Sequence, residues 1–284
     1  MNQENNTLFK NRTLLIATKH KKEQVLLPLF EKHLKVQCIV SENFNTDIFG
    51  TFSGEKERTD SPLETAKNKC LSALEQYKCE LVISSEGSFG MHPYNIFCKA
   101  DEEVLLFMDK KNNITISHCE ISTQTNFNGK YIYSLEELSE FSRLCKFPSH
   151  ALIMRSHCDD ATDIVKGIST KAALFTHYKN FHSWYGKAFV ETDMRAMHNP
   201  MRMQVIKKSA QKLIEKIISL CPQCATPGFC ITNSIKGLIC KLCGLPTRST
   251  LAYEYHCQSC GWTKVKPYPY GEKEEPLYCD HCNP

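Results

Sequence analysis

Apolar positions fall into short continuous runs and helical stripes that alternate through the first 220 residues. "TLLIAT" (Thr13–Thr18) is a run of strand length, bounded by polar residues on both sides. Residues 22–34 repeat with helical spacing and carry Pro28 as a kink. "VQCIV" (Val36–Val40) reads as a second short strand. Beyond a Gly/Thr-rich connection, "SPLETAKNKCLSALEQY" predicts a helix, with Ser61 as N-cap, Pro62 at the first helical position and Glu64 completing a capping box. Its apolar stripe is Leu63, Ala66, Cys70, Ala73, Leu74 and Tyr77. "LVISSEGSFG" (Leu81–Gly90) then predicts a strand ending at Glu86 and a glycine-containing turn.

Val104–Met108 and Ile114–Ser117 flank "DKKNN" and predict a hairpin. "SLEEL" at Ser134 opens another capped helix, "HALIMR" reads as a strand, residues 169–182 as helical and Ala188–Thr192 as a strand. "HNP" starts a long helix with Asn199 as N-cap and Pro200 at its first position, striped by Ile206, Ala210, Leu213, Ile214 and Ile217. This alternation predicts an α/β domain with a mixed central sheet and flanking helices over residues 1–219, followed by a small double zinc-ribbon domain over 220–284.

Composition changes little in this picture until the cysteines are counted. The net charge of +4 in 284 residues is too small to argue for nucleic acid by itself. The polar start "MNQENNTLFKNR" lacks the apolar core of a signal peptide, and no apolar run has membrane-spanning length. A cytoplasmic protein without membrane contact is the expectation, and self-association into a homo-oligomer is left open.

Of 16 cysteines, eight are scattered singly and eight form four Cys-x-x-Cys pairs after residue 220. The pairs are "CPQC" (Cys221, Cys224), "CKLC" (Cys240, Cys243), "CQSC" (Cys257, Cys260) and "CDHC" (Cys279, Cys282), with gaps of 15 residues between the first two and 18 between the last two. Such a turn aims two thiolates at one point, and two turns complete a tetrahedral site for zinc. Sequential pairing is expected: Cys221, Cys224, Cys240 and Cys243 on one zinc, Cys257, Cys260, Cys279 and Cys282 on the other. A crossed pairing would use the same ligands. Four thiolates leave no open position, so both ions are structural. Lys264, Lys266, Trp262, Tyr268 and Tyr270 give this region a cationic and aromatic character suited to nucleic acid, offset by Glu272, Glu274 and Glu275.

Three polar constellations remain. "ATKHKKEQV" places Thr18, Lys19, His20, Lys21 and Lys22 where a strand passes into a helix, a geometry suited to an anion but without the glycines of a P-loop. Read as residues alone, it is equally a solvated basic turn. Glu86 lies at the predicted end of a buried strand, where ligands collect in α/β sheets, or is simply a loop carboxylate. "ETDMRAMHNPMRM" gathers Glu191, Asp193, Arg195, His198 and Arg202 around a helix start, either as an anion site or as a local ion-pair network.

The order of these pieces resembles the inosine/xanthosine triphosphate pyrophosphatase superfamily, which hydrolyses damaged purine nucleoside triphosphates. "TKHKK" stands where that family has its Thr-…-Lys turn, "ETAKNKC" matches its Glu-Asn-Ala-x-x-Lys-Ala helix, and "SSEGSFG" holds one acid where the family places two. The match spans residues 13–90. It implies that Glu64 and Glu86 hold a catalytic magnesium ion and that Lys22 and Lys69 grip phosphates; the late Ser-His-Arg of those enzymes is absent, "MRAMHNPMR" stands in the corresponding region, and Thr18, Lys19, His20, Arg195, His198 and Arg202 are the candidates for the rest of the substrate site. Asp101, Glu102 and Glu191 are candidates for the base. The implied activity is release of monophosphate and pyrophosphate from a nucleotide; the alternative is a non-catalytic nucleotide- or nucleic-acid-binding protein. The whole chain also resembles an uncharacterised bacterial family, which implies no chemistry.

Overall fold

The computed structural model describes residues 8–41, 44, 60–159 and 162–284. The chain divides into two compact units, Met1–Ile214 and Glu215–Pro284. Most of the Gly/Thr-rich connection expected before Ser61 lies outside the described residues.

The first unit holds two sheets. The larger has the order β2-β1-β3-β4-β5. Strands β1 (Thr13–Ala17) and β2 (Gln37–Val40) are parallel and joined by helix α1 (Glu23–Leu34); β1 is also parallel to β3 (Leu81–His92), reached through α2 (Pro62–Tyr77). From there the sheet is antiparallel, β3 to β4 (Asn95–Asp109) and β4 to β5 (Ile114–Ser122). This is the mixed sheet the alternation predicted.

Local signals define the helices as read. The Ser61 side chain accepts the Glu64 backbone N–H at 3.2 Å and Pro62 begins α2. Ala66, Cys70, Ala73 and Leu74 then pack on Leu15, Val82, Val104 and Leu106, covering one face of the sheet. The buried leucines there each contribute about 1.5–3 kcal/mol. Asn199 caps α5 (Pro200–Ile218), its Oδ1 accepting the Arg202 backbone N–H at 3.0 Å.

The second sheet is antiparallel, in the order β6-β9-β7-β8: β6 (Gly129–Ile132), β9 (Ala188–Thr192), β7 (Leu152–Arg155) and β8 (Ile164–Ile168). Phe141 of α3 (Leu135–Leu144) and Leu174, Tyr178 and Phe181 of α4 (Lys171–Tyr185) pack with Leu152, Met154 and Val190 to form its core. The sequence pattern missed β6 and β8, which are short and poor in continuous apolar residues.

One boundary expectation is overturned. The strand does not end at Glu86: β3 continues to His92, because β4 supplies an antiparallel partner residue by residue from Leu81 to Met91. Its parallel neighbour β1 does end early, with Ala17 opposite Ser84, so Ser85 and Glu86 still lie beyond the parallel edge.

In the second unit, β10 (Cys230–Lys236), β11 (Thr250–His256) and β12 (Thr263–Pro267) form an antiparallel ribbon. Among the described residues, no helix is long and apolar enough to cross a membrane.

Candidate functional site

The turn between β1 and α1 carries consecutive residues in the left-handed region, His20 (φ 65°) and Lys21 (φ 62°). Neither is glycine, and such backbone costs about 1 kcal/mol or more per residue, a kind of strain that clusters at ligand sites. The turn delivers Lys22 to the buried end of the sheet, where its Nζ donates to Ser85 Oγ at 2.9 Å and stands 3.9 Å from Glu103 Oε2.

Around this point six ionisable side chains are buried: Lys22, Lys69, Glu86, Asp101, Glu103 and Arg202. Lys69, projecting from α2, forms an ion pair with Glu86. Arg202, on the first turn of α5, pairs through Nε with Glu103 and donates through Nη1 to the Met194 carbonyl. Its guanidinium lies 4.9 Å from the centre of the Phe89 ring, a cation–π distance. Burial pulls Lys22 down to about 8, and the positive charge of Arg202 adds to the effect against the pull of Glu103 and Glu86. Burial first, and then the negative charge of Glu103, pushes Asp101 up to about 8.

Strand register sorts these groups. Directly opposite residues of an antiparallel pair share a face. Gly87 opposite Glu103 and Phe89 opposite Asp101 therefore place both acids on one face with Ser85, while Glu86, opposite Val104, lies on the α2 face with Lys69. Gly87 makes the Glu103–Arg202 pair sterically feasible, since a Cβ there would stand 2.6 Å from Glu103 Oε1 and overlap the Arg202 guanidinium. Both Asp101 carboxylate oxygens, Glu103 Oε2 and the buried Thr18 hydroxyl lack a hydrogen-bond partner.

The structure thus brings together Thr18, Lys22, Lys69, Glu86 and Arg202 from the sequence-predicted set, and adds Ser85 and Glu103. Asp101, named as a base, is fully buried; Glu102 points to the opposite face, within 3.3 Å of the Cys119 thiol. Glu103 was legible in principle. It is in phase with Leu105 and Phe107, so a strict period of two puts it on an apolar face, where an acid demands a partner.

Glu64 stands apart, exposed on the first turn of α2 with its N–H on Ser61. Lys19 and His20 are half-buried in the turn. Arg195 is committed to the fully buried Asp193, which also accepts the Gly167 N–H at 3.1 Å. Glu191 pairs with Arg155, and burial raises its carboxyl. Burial lowers His198, whose field includes Asp193, Arg195 and Lys21, so the "MRAMH" segment faces the β1–α1 turn.

The eight C-terminal cysteines form two quartets, and their membership corrects the expected sequential pairing. Cys221 and Cys224 converge with Cys257 and Cys260; Cys240 and Cys243 converge with Cys279 and Cys282. The cause is β10. Its seven residues, rising about 3.3 Å per step, run roughly 20 Å and carry the second knuckle away from the first. Antiparallel pairing of Cys230 with His256 then returns the third knuckle to the first. The fourth reaches the second, where the Lys241 N–H donates to the Glu274 carbonyl at 3.0 Å.

Sulfur separations test whether the quartets fit a metal. Four thiolates about 2.3 Å from a central zinc ion stand about 3.8 Å apart at the corners of a tetrahedron. Cys221–Cys260 is 3.8 Å, Cys224–Cys257 3.6 Å, Cys240–Cys282 3.9 Å and Cys243–Cys279 3.6 Å. Backbone N–H groups of Gln223 and Leu242 point at Cys221 and Cys240 sulfurs, each at 3.4 Å. Gly244 and Gly261 close their knuckles at φ 73°. Each quartet could hold a zinc ion. Among the described residues, no further group of three or more His, Cys, Asp or Glu converges in this way.

A family model described as a domain of unknown function, DUF6671, matches residues 69–284. No curated protein matches the chain.

Proposed function

The chain belongs to the DUF6671 family, and we propose that its α/β unit is a hydrolase that cleaves nucleoside triphosphates, among them modified purine nucleotides, to monophosphate and pyrophosphate. The observation that carries this reading is the convergence of Lys22, Lys69 and Arg202 with Glu86, Asp101 and Glu103 beyond the end of β1. Gathering six buried ionisable groups at one place is costly, and such clusters belong to sites where charge is handled.

In this reading Lys22 and Lys69 bind phosphate oxygens, and Arg202 holds Glu103 in place. Glu86, now paired with Lys69, becomes available to orient or deprotonate the attacking water once Lys69 turns to a phosphate. A magnesium ion, when bound, would neutralise charge on the phosphates and acidify a bound water. The two cysteine quartets hold zinc in closed sites that stabilise the second unit, whose small core could not do so alone.

A panel of normal and modified nucleoside triphosphates tests the proposal, with magnesium present and both products scored. Turnover that falls at least about 100-fold in Glu86→Gln, the scale of losing a general base, is the expected result. No turnover on any member, or turnover unchanged by that substitution, overturns it. Tight binding without turnover would replace the hydrolase by a phosphate-recognising module.

A further inference from the structure

From the face of β4 that looks away from α2, we infer that Asp101 and Glu103 form a divalent-cation site. The two acids are two residues apart on one strand, so both side chains leave the same face. Each is fully buried. Both oxygens of Asp101 and Oε2 of Glu103 have no hydrogen-bond partner, although buried carboxylate oxygens in folded proteins nearly always have one. A proton on Asp101 would leave most of these lone pairs unmet. A hard cation satisfies three oxygens at once, and magnesium or manganese is held by one or two carboxylates with water completing the shell.

The surroundings are built for it. Glu103 is fixed through Oε1 by Arg202, leaving Oε2 free to turn to a metal while Lys22 stands off at 3.9 Å. Opposite the acids, Gly87 brings no side chain and Phe89 supplies a low-dielectric wall. Charge also matches. With both acids ionised, Lys22 and Arg202 balance Asp101 and Glu103 and the group is neutral. One divalent cation leaves two positive charges in excess, which a triphosphate complements. The use of the site rests on the hydrolase reading, but its occupancy does not.

The experiment is titration of the full-length, zinc-loaded chain with Mn²⁺ in the absence of nucleotide, read by electron paramagnetic resonance of the free ion. One Mn²⁺ per chain is expected, weakened at least tenfold in Asp101→Asn and unchanged in Glu64→Gln. Asparagine keeps the shape and brings no charge into the interior, so the variant folds on these grounds. In the wild type, Mn²⁺ broadens the amide resonances of Gly87, Phe89, Asp101 and Glu103 first, a readout that needs no variant. Broadening centred on α2 or on the cysteine quartets, binding that survives Asp101→Asn, or no binding at millimolar Mn²⁺ overturns the site. Binding as expected with no hydrolysis of any nucleotide keeps the site and removes the hydrolase; hydrolysis without Mn²⁺ at Asp101 does the reverse.

Discussion

Arg202 and Glu103 form an ion pair with both side chains fully buried, across 99 residues of chain. It ties the first turn of α5 to the middle of β4. Truncating either partner leaves the other charge uncompensated in the interior, a loss of about 3–5 kcal/mol. Arg202→Met is therefore expected to shift the urea midpoint strongly downward, and Arg202→Met with Glu103→Leu to recover much of the loss. A double variant no better than the single one would show that the pair does not act as a unit.

Gly87→Ala probes the same contact from β3. Its added Cβ meets Glu103 and the Arg202 guanidinium, and overpacking of this kind costs about 1–3 kcal/mol. Gly90→Ala meets nothing within 4 Å, so it is the matched control in the same strand. Chemical denaturation of the two side by side decides it.

The crossed cysteine pairing makes a counting prediction. Metal analysis is expected to return about two zinc ions per chain. Cys221→Ser with Cys257→Ser removes ligands from one quartet and should leave one ion, whereas Cys221→Ser with Cys240→Ser strikes both quartets and should leave none. Sequential pairing gives the opposite result for these two double variants.

Arg12 and Asp109 predict the acid response. Burial pushes the Asp109 carboxyl up, but hydrogen bonds from Arg12 (2.8 Å) and Asn112 (2.6 Å) outweigh it, and the group sits below its ordinary value. A depressed carboxylate contributes stability that is complete above the unfolded value of about 3.9 and is lost as pH falls through the folded one. The wild type should lose stability more steeply than Asp109→Asn as pH drops from about 5 to 3. At pH 7 Arg12→Met should cost about 2 kcal/mol, by loss of a largely buried charged hydrogen-bond partner. Parallel pH slopes for wild type and Asp109→Asn would refute the assignment.

Asn199 joins two functions that a single substitution separates. Its Oδ1 caps α5 at the Arg202 N–H, and its Nδ2 donates to Asn126 Oδ1 at 2.8 Å. Asn199→Asp preserves the cap but sets two acceptors face to face, whereas Asn199→Ala loses both contacts. Both should destabilise, the alanine by about 1–2 kcal/mol from the cap and more from the orphaned Asn126. Thermal unfolding of the pair, with Asn126→Ala as background, resolves the two terms.

Much of this was legible from the sequence because it is local. Ser61 and Pro62 fix the start of α2 within one turn of chain, although among the described residues the Glu64 carboxylate makes no return bond to complete a capping box, and Asn199 with Pro200 does the same for α5. Each Cys-x-x-Cys knuckle is likewise complete within four residues. Period-two alternation gave the strands their faces wherever apolar runs were long. What tertiary structure alone decided depends on strand length and register between distant segments. The length of β10 separates the first knuckle from the second, so the thiolate partners are chosen by the ribbon and not by adjacency. The pairing of β3 with β4 sends Glu86 to the α2 face and sets Asp101 and Glu103 on the other, beside Lys22 and Arg202. Spacing along the chain carries no information about such meetings, because they are fixed by inter-strand hydrogen bonds and by the packing of helices on the finished sheet.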